Sequence, residues 1–132
     1  MKKYIGTKQI EAEPMTMGEA FEKGLLRANE KPDADYAEHI GYHVKYKDGY
    51  ESWSPAEPFE EAYKCADTFL DRLRIEYANV KELFVKYEGL GFDEIIKKTD
   101  AKQAALLLLQ IYTMKTYVEV LEARIEDIEQ KH

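Results

Sequence analysis

From Phe59 to Tyr87 the apolar residues keep a strict seven-residue period. Phe59, Tyr63, Ala66, Leu70, Leu73, Tyr77, Val80, Phe84 and Tyr87 recur at steps of 4, 3, 4, 3. A second stripe follows the same steps: Leu107, Ile111, Met114, Val118, Leu121, Ile125 and Ile128. Such a period fits an α-helix with one apolar seam and fits no strand. Gly89 and Gly91 stop the first stripe. Asp100 and Gln103, at capping-box spacing, open the second. Two seams joined by a short link predict an antiparallel helical hairpin with coiled-coil-like packing. Residues 92–98 read as a helical turn in the connection. The block Ala104 to Tyr112 is apolar around the whole helix. One partner helix covers only one side of it, which predicts a homo-oligomer.

The segment before this hairpin is punctuated and short-ranged. Tyr4 to Ala12 has weak strand character that Pro14 is expected to end. Thr16 and Glu19 fit a capping box, and a helix is expected to run to about Asn29, burying Phe21, Leu25 and Ala20 or Ala28. Residues 30–39 are polar and read as a surface loop. Tyr42, Val44 and Tyr46 alternate, Asp48-Gly49 supplies a turn expected to be type I′, and Tyr50 to Trp53 returns as a hairpin. Ser54-Pro55-Ala56-Glu57 is a further capping signature, with the long helix starting afresh near Pro58. The fold class is therefore α+β. A small region over 1–58, with a β-hairpin and a short helix, precedes a long helical hairpin over 59–132, in one cooperative unit.

Charge and composition narrow the function. The net charge is −7, from 19 basic and 26 acidic residues. That argues against general binding of a nucleic-acid backbone, which needs a basic surface. No uninterrupted apolar run approaches the roughly 18 residues of a membrane span, and no secretory signal is read at the start. The single cysteine, Cys65, forms no intrachain disulfide and suits a reducing cytosol. Catalytic motifs for phosphate-loop, nucleophile-elbow or dithiol chemistry are missing, so no enzyme is expected. His39 and His43 lie four apart near Asp33, Asp35 and Glu38, but Gly41 lies between them and His43 falls in the hairpin pattern. No metal centre and no cofactor are read there.

Beside the first seam, Phe69, Arg72, Glu76, Asn79 and Leu83 recur at steps of 3 and 4 and share one helix face. An aromatic, a guanidinium and an amide suit a flat anionic molecule: a plane to stack, a phosphate partner and a group for a base edge. An inter-subunit surface with a salt bridge is the alternative. Trp53, the only tryptophan, is a core residue or a second stacking plane, and Arg27 is a further phosphate partner, as Lys8 and Lys45 could be. On the second helix Gln103, Gln110, Tyr117 and Arg124 form a seven-spaced row. It is either the polar flank of a coiled coil or a second ligand site made by Gln110, Tyr117 and Arg124.

The phrase from Gly41 to Pro55, GYHVKYKDGYESWSP, with Phe59, Ala62 and Tyr63, resembles a small phage protein family found on many prophages. Lys8 to Met15 fits its opening motif. Asp67 to Arg74 and Leu109 to Ile125 resemble the helical hairpin of phage sponges that sequester immune signals. Together the halves resemble the Thoeris anti-defence sponge. The resemblance implies a protein of the infected bacterial host's cytoplasm that binds a cyclic ADP-ribose isomer made by a TIR enzyme and does not degrade it. It also implies homodimers with pockets between subunits. In some members it implies hexamers that bind cyclic di- or trinucleotides as well. The rival expectations are a phage structural or adaptor protein acting through its oligomeric hairpin, an acidic nuclease inhibitor, and a hydrolase of the signal.

Overall fold

The structure, a computed structural model, describes residues 1–131. The chain divides into two compact units, Met1–Lys64 and Cys65–His132.

In the first unit three strands form an antiparallel sheet in the order β1-β2-β3: β1 is Glu11–Thr16, β2 is Ile40–Lys45 and β3 is Glu51–Pro55. Pro14 does not end the opening strand as the sequence suggests. It sits within β1, opposite Tyr42. An edge strand accepts it because a residue whose N–H would face away from the sheet loses no ladder bond. The Thr16 hydroxyl caps α1 (Met17–Glu22) by accepting from the Glu19 N–H at 3.2 Å. That helix is far shorter than the expected run to Asn29. The Leu25 N–H bonds to the Ala20 carbonyl at 2.9 Å and the Gly24 N–H to the Phe21 carbonyl at 3.1 Å. With Gly24 at φ +79°, this is a Schellman stop. Ala20 is fully buried and Phe21 and Leu25 are half-buried, whereas Ala28 is exposed.

The hairpin between β2 and β3 forms as expected, but its turn differs in type. The Gly49 N–H bonds to the Tyr46 carbonyl at 2.9 Å and the Tyr46 N–H to the Tyr50 carbonyl at 2.8 Å. Gly49 has φ +91°, and among the described residues no non-glycine residue has positive φ. A type I′ turn needs positive φ at two positions, so this is a three-residue loop: a type I turn closed by a left-handed glycine. The Asp48 carboxylate accepts from the Tyr50 N–H at 3.0 Å and holds the loop.

Trp53 lies across the sheet on Gly41, and its indole N–H donates to the Met15 carbonyl at 2.8 Å. A β-carbon on Gly41 would stand 2.3 Å from the Ser54 carbonyl oxygen and 2.4 Å from the indole ring. Gly41→Ala is therefore expected to destabilise this unit by roughly 1–3 kcal/mol, the usual range for overpacking. Denaturant unfolding followed by Trp53 fluorescence measures it, and an unchanged midpoint would contradict the packing.

The helix α2 (Ala56–Ala62) follows β3 directly, with Pro58 in its first turn, where a missing N–H leaves nothing unpaired. Ser54 is a strand residue and makes no cap. Tyr42 stacks on Phe59 at 4.1 Å, and Phe59 on Tyr63 at 5.1 Å. These contacts tie α2 to the sheet of the first unit.

The long stripe from Phe59 to Tyr87 thus does not occupy one helix. Tyr63 turns extended at φ −130°, ψ 143°, and helix resumes only at α3 (Phe69–Glu88). The stop is a capping box that sequence reading passed over: the Thr68 hydroxyl accepts from the Asp71 N–H at 3.0 Å, and the Asp71 carboxylate from the Thr68 N–H at 3.1 Å. That bond to the Thr68 backbone, then the Cys65 thiol, the Thr68 hydroxyl and the Arg74 charge hold the Asp71 carboxyl below its ordinary value of 3.8, with desolvation opposing.

In the second unit α3 packs antiparallel on α5 (Ala101–Gln130), with α4 (Phe92–Lys98) in the connection, where a helical turn was expected. Asp100 caps α5 by accepting from the Gln103 N–H at 2.8 Å. Both predicted stripes face inward over these helices. Phe84, Met114 and Val118 form the core cluster, and Leu73 and Leu121 extend it. The most apolar 18-residue window of α5 has a mean hydropathy of 1.2, although only 22% of it is buried. By length and composition this helix could cross a bilayer. Its apolar excess comes from carrying leucines outside as well as inside the seam.

Candidate functional site

The antiparallel pairing of α3 and α5 gives the second unit two unlike flanks. One is fastened by charge. Arg74 meets Glu129 at 2.8 Å, the Tyr77 hydroxyl donates to Glu122 at 2.7 Å, and Lys81 reaches Glu122 at 3.8 Å. The bond to Glu122 raises the Tyr77 phenol above its ordinary value of 10.0, because ionising it would destroy that bond beside a carboxylate.

On the other flank the two rows read separately in the sequence meet. Arg124 lies over the ring of Phe69, its guanidinium carbon 5.9 Å from the centroid. The Glu76 carboxylate beside Tyr117 raises its phenol above the ordinary value of 10.0, with desolvation adding and Arg124 opposing. Residues of the first row and of the second row, assigned to separate sites from the sequence, therefore share one surface. Phe69 is 57% exposed, so its ring remains open to a flat ligand.

The cations of this flank differ from those opposite. Among the described residues neither Arg72 nor Arg124 has a carboxylate within ion-pair distance. Arg72 uses one terminal nitrogen to donate to the Ala66 and Asp67 carbonyls, each at 3.2 Å. Those bonds shape the loop that leads into α3 and leave the other guanidinium donors unused. Asn79 and Gln110 are exposed further along the same helices, and Gln110 makes only a weak contact from its amide to the Met114 sulfur at 3.8 Å. The flank offers an aromatic face and two guanidiniums whose charge is not neutralised. It suits an anion that also has a ring.

Trp53 and Arg27 belong to the first unit. Trp53 is half-buried, with its N–H committed to Met15 and its ring centroid 6.2 Å from that of His39. Arg27 is exposed before the 3₁₀ turn Ala28–Glu30, and its backbone N–H donates to Glu30 at 2.8 Å. Among the described residues no hydrogen bond or ring contact joins these two. His43, on the Trp53 face of the sheet, lies between Glu51 at 2.8 Å and Glu13 at 3.4 Å.

An open cleft of about 480 Å³ in the first unit was not foreseen. Lys8 stands 4.8 Å over the ring of Tyr46, which stacks on Tyr50 at 5.8 Å, with Lys47 and Asp48 at the rim. The signal that could have found it is the Tyr46-x-x-x-Tyr50 pair, which a three-residue loop brings face to face.

The Sequestin family model matches residues 67–127. The hairpin is similar to the Sequestin family. Sequestin is the phage Thoeris anti-defence sponge family that the sequence phrases resemble. The likeness suggests a sequestering, anti-defence function directed at a small-molecule signal. The match begins at Asp67, so it covers just under half of the chain and no residue of the first unit. No curated protein and no solved structure matches the chain.

Proposed function

We propose that this Sequestin-like protein holds a cyclic ADP-ribose isomer, made by a TIR-domain enzyme, on the Phe69–Arg124 flank of its helical hairpin. It acts in the cytoplasm of the infected bacterial host and releases the molecule unchanged. The observation that carries this reading is Arg124 over Phe69 with no carboxylate partner. The adenine stacks on Phe69, Arg124 and Arg72 take the two phosphates, and Asn79 reads the base edge. Trp53 is the poorer stacking plane because its ring already lies on Gly41. Arg27 and the Lys8 cleft are left to secondary contacts.

Sequestration needs affinity alone and no group that stabilises a transition state, so the protein is read as a binder without enzymatic activity. Each tenfold gain over the host sensor requires about 1.4 kcal/mol. Water exclusion strengthens the guanidinium–phosphate bonds, and a homodimer or hexamer would supply it. Cyclic di- and trinucleotides share the same chemistry and could use Gln110, Tyr117 and Arg124.

Thermal melting with and without the signal tests the reading, followed by heat release and chromatography of the ligand. At 100 times the dissociation constant, binding adds about 2.7 kcal/mol and raises the midpoint. Intact ligand recovered after a shift supports sequestration, whereas altered ligand makes the protein a hydrolase. The absence of any shift favours the second reading, a structural adaptor of the phage. The exposed Leu109 and Tyr112 on the outer side of α5 give that reading its support.

A further inference from the structure

One end of the sheet in the first unit is positive, although the chain as a whole has a net charge of −7. Residues 1–10 hold Lys2, Lys3 and Lys8 and no acid, and residues 45–50 add Lys45 and Lys47 against Asp48 alone. β1 begins where β2 ends, with Glu11 opposite Lys45, so the two stretches meet at the same end of the sheet. Among the described residues none of these five lysines has a carboxylate within ion-pair distance. The backbone bond that closes the loop sets the rings of Tyr46 and Tyr50 face to face, 27° from parallel, and the Lys8 ammonium stands over Tyr46. Tyr50 is 65% exposed, so the stack of rings is open on its outer side.

We propose that this cleft is a second binding site, for a linear nucleotide that bears a terminal 5′-phosphate. Its volume of about 480 Å³ falls within the range of small-ligand sites, roughly 300–1,000 Å³. The base lies on the open side of Tyr50 and continues the stack begun by Tyr46, and any base suits because each has a flat π-face. The phosphate lies between the ammoniums of Lys8 and Lys47, both in the wall of the cleft. A terminal phosphate carries about −1.5 to −2 charge near neutral pH and offers three strong acceptor oxygens. A bridging phosphate carries a single charge, so two ammoniums converging on one group favour the terminal form. Lysine acts here as a point charge that follows the phosphate without a fixed fork geometry, which suits an open site. Asp48 is the acid in the wall of this cleft, and it accepts from the Tyr50 N–H at 3.0 Å, which commits one oxygen to the loop. A free nucleotide and the 5′ end of a single strand share this chemistry. The acidic remainder of the chain limits the contact to one nucleotide, since a length of backbone needs an extended basic surface. The site lies in a different unit from the Phe69–Arg124 flank, and its ligand is linear where the flank's is cyclic.

Titration calorimetry of the full chain with adenosine 5′-monophosphate tests the site, with adenosine and adenosine 3′,5′-cyclic monophosphate as controls. The 5′-monophosphate is expected to bind at least tenfold more tightly than either control. Lys8→Ala and Tyr50→Ala should each weaken it at least tenfold, whereas Tyr50→Phe keeps the ring and the affinity. Lys8 precedes β1 and Tyr50 is an exposed loop residue, so each variant should retain the circular dichroism of the wild type. Arg72→Ala combined with Arg124→Ala should leave this binding unchanged, which separates the result from that of the cyclic signal. A 5′-phosphorylated single-stranded oligonucleotide distinguishes the two sources: tighter binding than the free nucleotide assigns the cleft to a strand end, and equal or weaker binding assigns it to the free nucleotide. Absence of binding by both at millimolar concentration overturns the inference. So does binding that adenosine or the cyclic monophosphate matches, binding indifferent to Lys8→Ala and Tyr50→Ala, or equal capture of a polyglutamate peptide, which has charge and no ring.

Discussion

Replacing Arg72 and Arg124 together by alanine will weaken binding of the TIR-derived cyclic ADP-ribose by about 10²- to 10⁴-fold. Hydrogen bonds to charged groups contribute roughly 1.5–3 kcal/mol each, and the variant removes one guanidinium from each phosphate. Neither arginine supports the hairpin through an ion pair, so the fold survives: Arg72 bonds only to loop carbonyls, and Arg124 rests on an exposed ring. Arg72→Ala alone should cost at least tenfold. Titration calorimetry on protein whose circular dichroism matches wild type measures both. Arg74→Ala is the control, because Arg74 is paired with Glu129 on the opposite flank. It should leave affinity unchanged. Affinity within threefold of wild type for the double variant would remove this flank from the site.

Leu121→Ala will destabilise the hairpin by about 2–5 kcal/mol, the range for deleting a fully buried leucine side chain. Leu121 has no exposed surface and sits on the inward stripe of α5, beyond the Phe84, Met114 and Val118 cluster. The lost transfer energy adds to the cavity left between two helices that are held apart by their neighbouring side chains. Small domains have only about 5–15 kcal/mol in total, so the variant stands near the threshold of folding. Urea unfolding at fixed protein concentration reads the change. A loss under 1 kcal/mol would mean that α3 and α5 close over the gap, against the packing described.

Much of the architecture was legible because local rules and burial agree. Both heptad phases, the Asp100 cap, the β2–β3 hairpin and the Thr16 cap follow from side chains within a few residues of each other. The misreadings came where a local device had a rival. The stripe through Phe59 and Tyr63 continues the heptad into α3, yet those two rings stack on Tyr42 of the sheet, and the Thr68–Asp71 box restarts the helix. Pro14 reads as a strand breaker until the strand is known to lie at an edge. Gly24 was visible, but its Schellman bonds outweighed the apolar spacing that suggested a longer helix.

The amino-acid order alone determined that this chain makes an antiparallel helical hairpin after a small sheet, and which residues face its seam. Periodicity suffices for that, since each apolar residue must leave water on the same side of its helix. It could not determine which layer of α3 meets which layer of α5. A heptad pattern is unchanged by a slip of seven residues, so burial alone is satisfied in several registers. Length of the connection and the pairs Arg74–Glu129 and Tyr77–Glu122 select one of them. Only that selection sets Arg124 on Phe69 and Tyr117 by Glu76, and so turns two rows of side chains into one flank.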